Sequence, residues 1–189
     1  MHRFLRNTVF IKTTKDNNTA QLSPLLLLEA FAEEFIRSPI LIMPWSVSQQ
    51  TRLSFEKDLL ERYFGNRVSW IDPRGNTRVE ITVTCTNDKQ YTLRIYLPGD
   101  FPNSCPSMVV SNPSSCLRKR DGSVMNSGSS DNHTWDSKDG CTQICHYKPA
   151  EWTDDNTLYQ VTMKGLIWLE AYEAHLRTGN SLSNYLQHC

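Results

Sequence analysis

The segment from Val68 to Tyr96 constrains the fold more than any other. Three short runs, Val68 to Ile71, Arg78 to Thr84 and Tyr91 to Tyr96, are separated by DPRGN and TNDKQ. The Pro, Gly, Asn and Asp of these breaks suit tight turns. In the middle run Val79, Ile81, Val83 and Cys85 alternate with polar neighbours, as the two faces of a half-buried antiparallel strand require. The pattern predicts a meander, and Met108 to Val110 supplies its fourth strand.

Helical signals flank this sheet. Ser23 and Pro24 form a good helix start, predicting a short helix from Leu25 to about Arg37 with Leu27, Leu28, Phe31 and Phe35 on one side. Pro39 and Pro44 then break the chain, and a second helix fits Val47 to Phe64, closed by Gly65. Leu53, Phe55, Leu59, Leu60, Tyr63 and Phe64 are its apolar content, while Arg52, Lys57 and Arg62 mixed with Glu56, Asp58 and Glu61 read as an ordinary exposed face. The clearest helix begins near Thr157: Leu158, Val161, Gly165, Trp168, Leu169, Tyr172 and Leu176 share one stripe, and Gly179 stands at its end. That stripe can cover one face of the sheet. The expected architecture is an α+β two-layer domain over residues 46–189, preceded by a 1–45 extension carrying one short helix. Ser111 to Asn132 is rich in Ser, Asn and Gly without any period, so it reads as a long loop, either a functional lid or a mobile insertion.

Composition narrows the function. The 189 residues carry 20 Lys and Arg against 20 Asp and Glu, which gives no electrostatic footprint for nucleic acid. Six irregularly spaced cysteines and no leader-like start point to reduced thiols and a cytoplasmic protein. The richest apolar run, Leu25 to Leu28, is broken by Glu29, Glu33 and Glu34 and falls far below the roughly 20 apolar residues of a membrane span. Neither membrane nor nucleic acid is an expected partner, and no cofactor or resident metal is expected.

The chemistry concentrates in HTWDSKDGCTQICHYKPAEW, residues 133–152. A Gly-containing approach brings Cys145 up after Ile144, and Trp152 follows seven residues later, which proposes a nucleophilic thiol in a loop. An isolated cysteine is more often a small buried hydrophobe, and Cys141, directly after Gly140, is a rival nucleophile. His133, Cys141, Cys145 and His146 also offer four ligands for zinc, although the spacing matches no standard finger.

Phe101, Pro102, Pro106, His133, Gly140, Ile144, Cys145, Trp152, Thr157 and Leu158 together follow the pattern of the ubiquitin-conjugating enzymes, and the chain resembles that family over roughly residues 46–178. Two extra residues separate Gly140 from Ile144, and Trp135 stands where the family has an asparagine. The chain lacks the family's last two helices, as in divergent members such as the ubiquitin-fold-modifier conjugating enzyme. The resemblance implies a four-stranded antiparallel meander flanked by helices, with a ubiquitin-like modifier carried as a thioester on Cys145 and received from an activating enzyme. It implies that His133 shapes the loop. Asn132 or Trp135 would donate to the oxyanion or support the loop, and Asp154 and Asp155 are candidates for acceptor activation. A solvated helix entrance favoured by the helix dipole is the simpler account of those two aspartates. Asn103 and the Asp154–Asp155 pair replace the family's apolar ligase anchors, which points to a ligase other than the RING type, or to none. Three functions are thus in view: an active conjugating enzyme, a catalytically silent binding or adaptor protein of the same fold, and a zinc-binding module.

Overall fold

The computed structural model describes residues 44–186. The expected helix from Leu25 to Arg37, like most of the 1–45 extension, lies outside the described residues. Trp45, at the expected boundary, belongs to the core: it is buried, and its indole N–H donates to Thr77 Oγ1 at 2.9 Å.

Helix α1 spans Val47–Phe64. Ser46 and Gln49 form a reciprocal capping box at its start, and Gly65, at φ 57°, ends it. The chain then lays down β1 (Val68–Ile71), β2 (Arg78–Thr84), β3 (Gln90–Tyr96) and β4 (Ser107–Asn112) as the expected meander. Alternation works as read: Val79, Ile81 and Val83 on β2 and Tyr91, Leu93 and Ile95 on β3 all point into the core.

The sheet has six strands, which corrects the four-stranded expectation. β5 (Thr134–Lys138) and β6 (Cys141–Ile144) form a hairpin that extends it in the order β1-β2-β3-β4-β6-β5, every pair antiparallel. The hairpin is closed by Asp139 and Gly140, both at positive φ (52° and 72°), as a two-residue type I′ turn requires. β6 pairs with β4 through Met108–Ile144 and Val109–Gln143. These two strands escaped the sequence reading because β5 carries almost no inward apolar residue and β6 is only four residues long.

Helix α2 (Leu158–Thr178) starts at a second capping box, Thr157 with Gln160, and ends at Gly179 in the left-handed conformation. Its buried stripe lies on the sheet. Gly165 sits so close to β3 and β4 that an added Cβ would come within 2.7 Å of Leu93 Cδ1 and 2.8 Å of Met108 Cε. The segment between β4 and β5 has no regular element but is well anchored. Tyr172 Oη donates to Arg118 O at 2.8 Å, the Arg120 amide to His175 Nε2 at 3.2 Å, and Ser181 Oγ to Asp131 O at 2.8 Å. Among the described residues no helix is long and apolar enough to cross a membrane.

The α1 face read as ordinary surface is also corrected. Glu56 is fully buried and Arg52 mostly so, whereas Phe55 and Tyr63 are about half exposed (53% each). Helical spacing puts Glu56 on the same side as Leu60 and Phe64, and its carboxylate is used there: Oε1 accepts from Arg52 Nε at 2.7 Å and Oε2 from the Leu158 amide at 2.8 Å.

Candidate active site around Cys145

Cys145 follows β6 directly, and the hairpin register sets it beside His133, the residue before β5. Thr134 pairs with Ile144, and one step further the Cys145 amide donates to His133 O at 2.9 Å. Cys145 is half-buried and opens on a hollow of about 330 Å³ lined by Gly128, Ser129, Ser130, His133, Thr134 and Trp135. His133 is buried (4% exposed), while Trp135 stands out at 45%.

The wall facing Cys145 is a tightly tied turn. His133 has φ 49°, a left-handed conformation that costs a non-glycine residue about 1–3 kcal/mol and survives only where its surroundings over-determine it. Several bonds do so. The His133 amide donates to Ser130 O at 3.3 Å, and Ser129 Oγ accepts from both the Asn132 amide (3.3 Å) and Asn132 Nδ2 (3.1 Å). From α2, Trp168 Nε1 is shared between Asn132 O and His133 O, each at 3.0 Å. Ser129 and Thr134 exchange backbone bonds across the turn. The small residues Gly128 to Ser130, whose side chains leave the hollow open, were legible only as loop composition.

The neighbouring thiols and imidazole are differently placed. Cys141 is buried, its Sγ 3.7 Å from Asp139 O, and burial pushes its thiol up. Cys105 lies against the imidazole of His146 (Sγ to Nε2, 4.0 Å), and burial raises its thiol to about 11. His146 is enclosed. Burial, helped by Lys164, brings it down to about 4, so it is neutral at physiological pH and contributes no cation that would favour a thiolate. The four potential zinc ligands do not converge, and among the described residues no group of three or more His, Cys, Asp or Glu side chains is placed to hold a metal ion.

Of the other residues picked out from sequence, Asn132 is buried, its amide turned to Ser129, and it is not among the residues lining the hollow. Asp154 and Asp155 are exposed and also lie outside it. Their loop is instead pinned to α1: Arg52 Nη1 donates to Asp154 O, and Nη2 to Asn156 O at 2.6 Å. Trp152 closes the other side of that loop, its Nε1 donating to Pro102 O at 2.8 Å. The segments after Trp152 and around Phe101–Pro102 therefore meet on one surface. The chain matches no family model, no curated protein and no solved structure.

Proposed function

We propose that this protein carries a ubiquitin-like modifier as a thioester on Cys145 and passes it to an amine, in the manner of a ubiquitin-conjugating enzyme. One observation carries the reading: of the five described cysteines, Cys145 alone is among the residues lining the hollow, set beside a buried histidine at the end of a strand. The order of elements, a helix, a four-strand meander, the cysteine-bearing segment and a long helix over the sheet, supports a ubiquitin-conjugating-enzyme-like core, with the β5–β6 hairpin completing the sheet.

The chemistry is acyl exchange. The Cys145 thiolate adds to the carbonyl carbon of the modifier's thioester on the activating enzyme, and the tetrahedral intermediate expels that enzyme's thiolate. An acceptor ammonium loses a proton to become the free amine, which adds to the new carbonyl. The nitrogen gives up a second proton to solvent as the intermediate expels Cys145 as thiolate, leaving an amide. Cysteine serves both steps because its thiolate is a good nucleophile and a good leaving group. Trp135, on the hollow's rim, has an indole N–H that could face the developing oxyanion. The meeting of the Pro102 and Trp152 segments, with Asn103 and Asp154 in place of apolar anchors, supports a partner ligase other than the RING type.

A silent adaptor is the second reading, favoured by the Asn132 amide being engaged with Ser129 rather than turned to the hollow. A charging assay separates the two. Incubation with activating enzyme, ATP and candidate modifiers is expected to give a thiol-reducible adduct, and Cys145→Ser should convert it into a reduction-resistant oxyester. Absence of an adduct with every ubiquitin-like modifier tried would leave the adaptor.

A further inference from the structure

The Cys145 backbone is held by a chain of two carbonyls and one indole. His133 O accepts two bonds, from the Cys145 amide at 2.9 Å and from Trp168 Nε1 at 3.0 Å, which uses both of its lone pairs. The same indole N–H reaches Asn132 O at 3.0 Å. It thus grips the two consecutive carbonyls that flank the φ 49° bend at His133. Trp168 is itself enclosed: it is 2% exposed and stacked on Tyr172, ring planes 7° apart and centroids at 5.7 Å. A core tryptophan of a helix stripe needs no such geometry to pack. Its N–H needs one partner, and any backbone carbonyl would do. Here the partner is the carbonyl that also orients Cys145.

We propose that Trp168 is the positioning residue of the Cys145 site, its indole N–H fixing the Asn132–His133 turn and, through the His133 carbonyl, the direction in which the cysteine leaves β6. This rests on the carrier reading for its functional meaning, while the positioning itself is independent of any modifier. A carbonyl carbon must approach the sulfur along a narrow path, and a misplacement of about 1 Å can slow such a step on the order of a hundredfold. Nothing in the sequence marks this role, because Trp168 falls in the apolar period of α2 and is fully accounted for as core.

The test removes the N–H. Trp168→Phe is the first variant, although it also loses part of the buried ring. A site-specific benzothienylalanine at 168, isosteric with tryptophan but lacking the donor, serves if the phenylalanine variant does not fold, and 7-azatryptophan, which keeps the N–H, is the rescue. Two readouts are taken on full-length protein: hydrogen exchange of the Cys145 amide, and the rate of thioester formation. Loss of the donor is expected to speed Cys145 amide exchange at least tenfold relative to the amides of Ile81 and Leu93, and to slow charging about tenfold. Azatryptophan should restore both. Unchanged Cys145 exchange in a folded variant, or exchange that rises equally at Ile81 and Leu93, overturns the proposal and leaves Trp168 as core alone. If the unmodified protein does not charge at all, the carrier reading fails while the exchange measurement still decides the positioning.

Discussion

The Glu56 carboxylate accepts the Leu158 amide at 2.8 Å, so a residue of α1 caps the first turn of α2 from 102 positions away. Arg52 completes the arrangement by pairing with the same carboxylate and donating to the carbonyls of Asp154 and Asn156. Burial raises the Glu56 carboxyl, while the Leu158 amide and Arg52 act against that rise. Arg52→Ala removes the cation and strands a buried charge, which costs about 3 kcal/mol or more. Urea unfolding at pH 7 measures it. A carboxyl whose folded-state affinity for protons exceeds the unfolded one favours folding below its unfolded pKa and loses that contribution as pH rises. The deficit of Arg52→Ala is therefore expected to shrink as pH falls, and Arg52→Ala combined with Glu56→Gln should recover part of it at pH 7.

His146 sets a second pH dependence, of the opposite sign. Its folded pKa of about 4 lies below the unfolded value near 6.5, so the unfolded chain binds the extra proton first and stability falls as pH drops from about 6.5 to about 4. The integrated effect is on the order of 3 kcal/mol. Denaturant midpoints taken across that range should slope downward toward acid, and His146→Gln should flatten the slope.

Thiol reactivity gives a map of the site. Burial, with the charges of Glu170 and Glu173, raises Cys85 to about 11, and burial does the same for Cys105. At pH 7.5 both are almost wholly protonated, and the thiolate is the species that reacts. Brief iodoacetamide treatment followed by peptide mapping is expected to mark Cys145 and Cys116 well before Cys85, Cys105 and Cys141. Labelling of Cys105 ahead of Cys145 would contradict the open hollow.

Gly140, at φ 72° in the β5–β6 turn, has open space around its Cα, so no side-chain clash complicates a substitution there. Gly140→Ala is expected to cost about 1–2 kcal/mol from backbone conformation alone. Thermal unfolding reports the loss, and faster exchange at the amides of Thr142 and Ile144 would locate it in the hairpin.

Much of this fold was legible in the chain. The period-two alternation of Val79, Ile81 and Val83 and the stripe from Leu158 to Leu176 both record a single buried face, and local periodicity is enough to read that. Gly65, Thr157 and Gly179 mark helix ends by short-range chemistry, while the Ser46 cap emerged only from the structure. Glu56 was misread because a carboxylate on the buried side of a helix looks like surface until its partner, 102 residues on, is in view. β5 and β6 were missed for a related reason: TWDSK and CTQI owe their conformation to β4 and the Asp139–Gly140 turn rather than to their own pattern. For the candidate site, the cysteine and the histidine could be picked from sequence, but their adjacency is a product of strand register. The wall from Gly128 to Ser130 and the reach of Trp168 depend on how the preceding loop folds onto α2, which no local signal encodes.

The hairpin register also makes the site a matter of parity. Cys145 and His146 are consecutive, yet one looks into the hollow and the other is shut away beside Cys105. A one-residue slip of β6 against β4 would exchange them, presenting an imidazole to incoming acyl groups and sealing the sulfur in the interior. The Met108–Ile144 and Val109–Gln143 pairing therefore decides which of two adjacent side chains meets solvent.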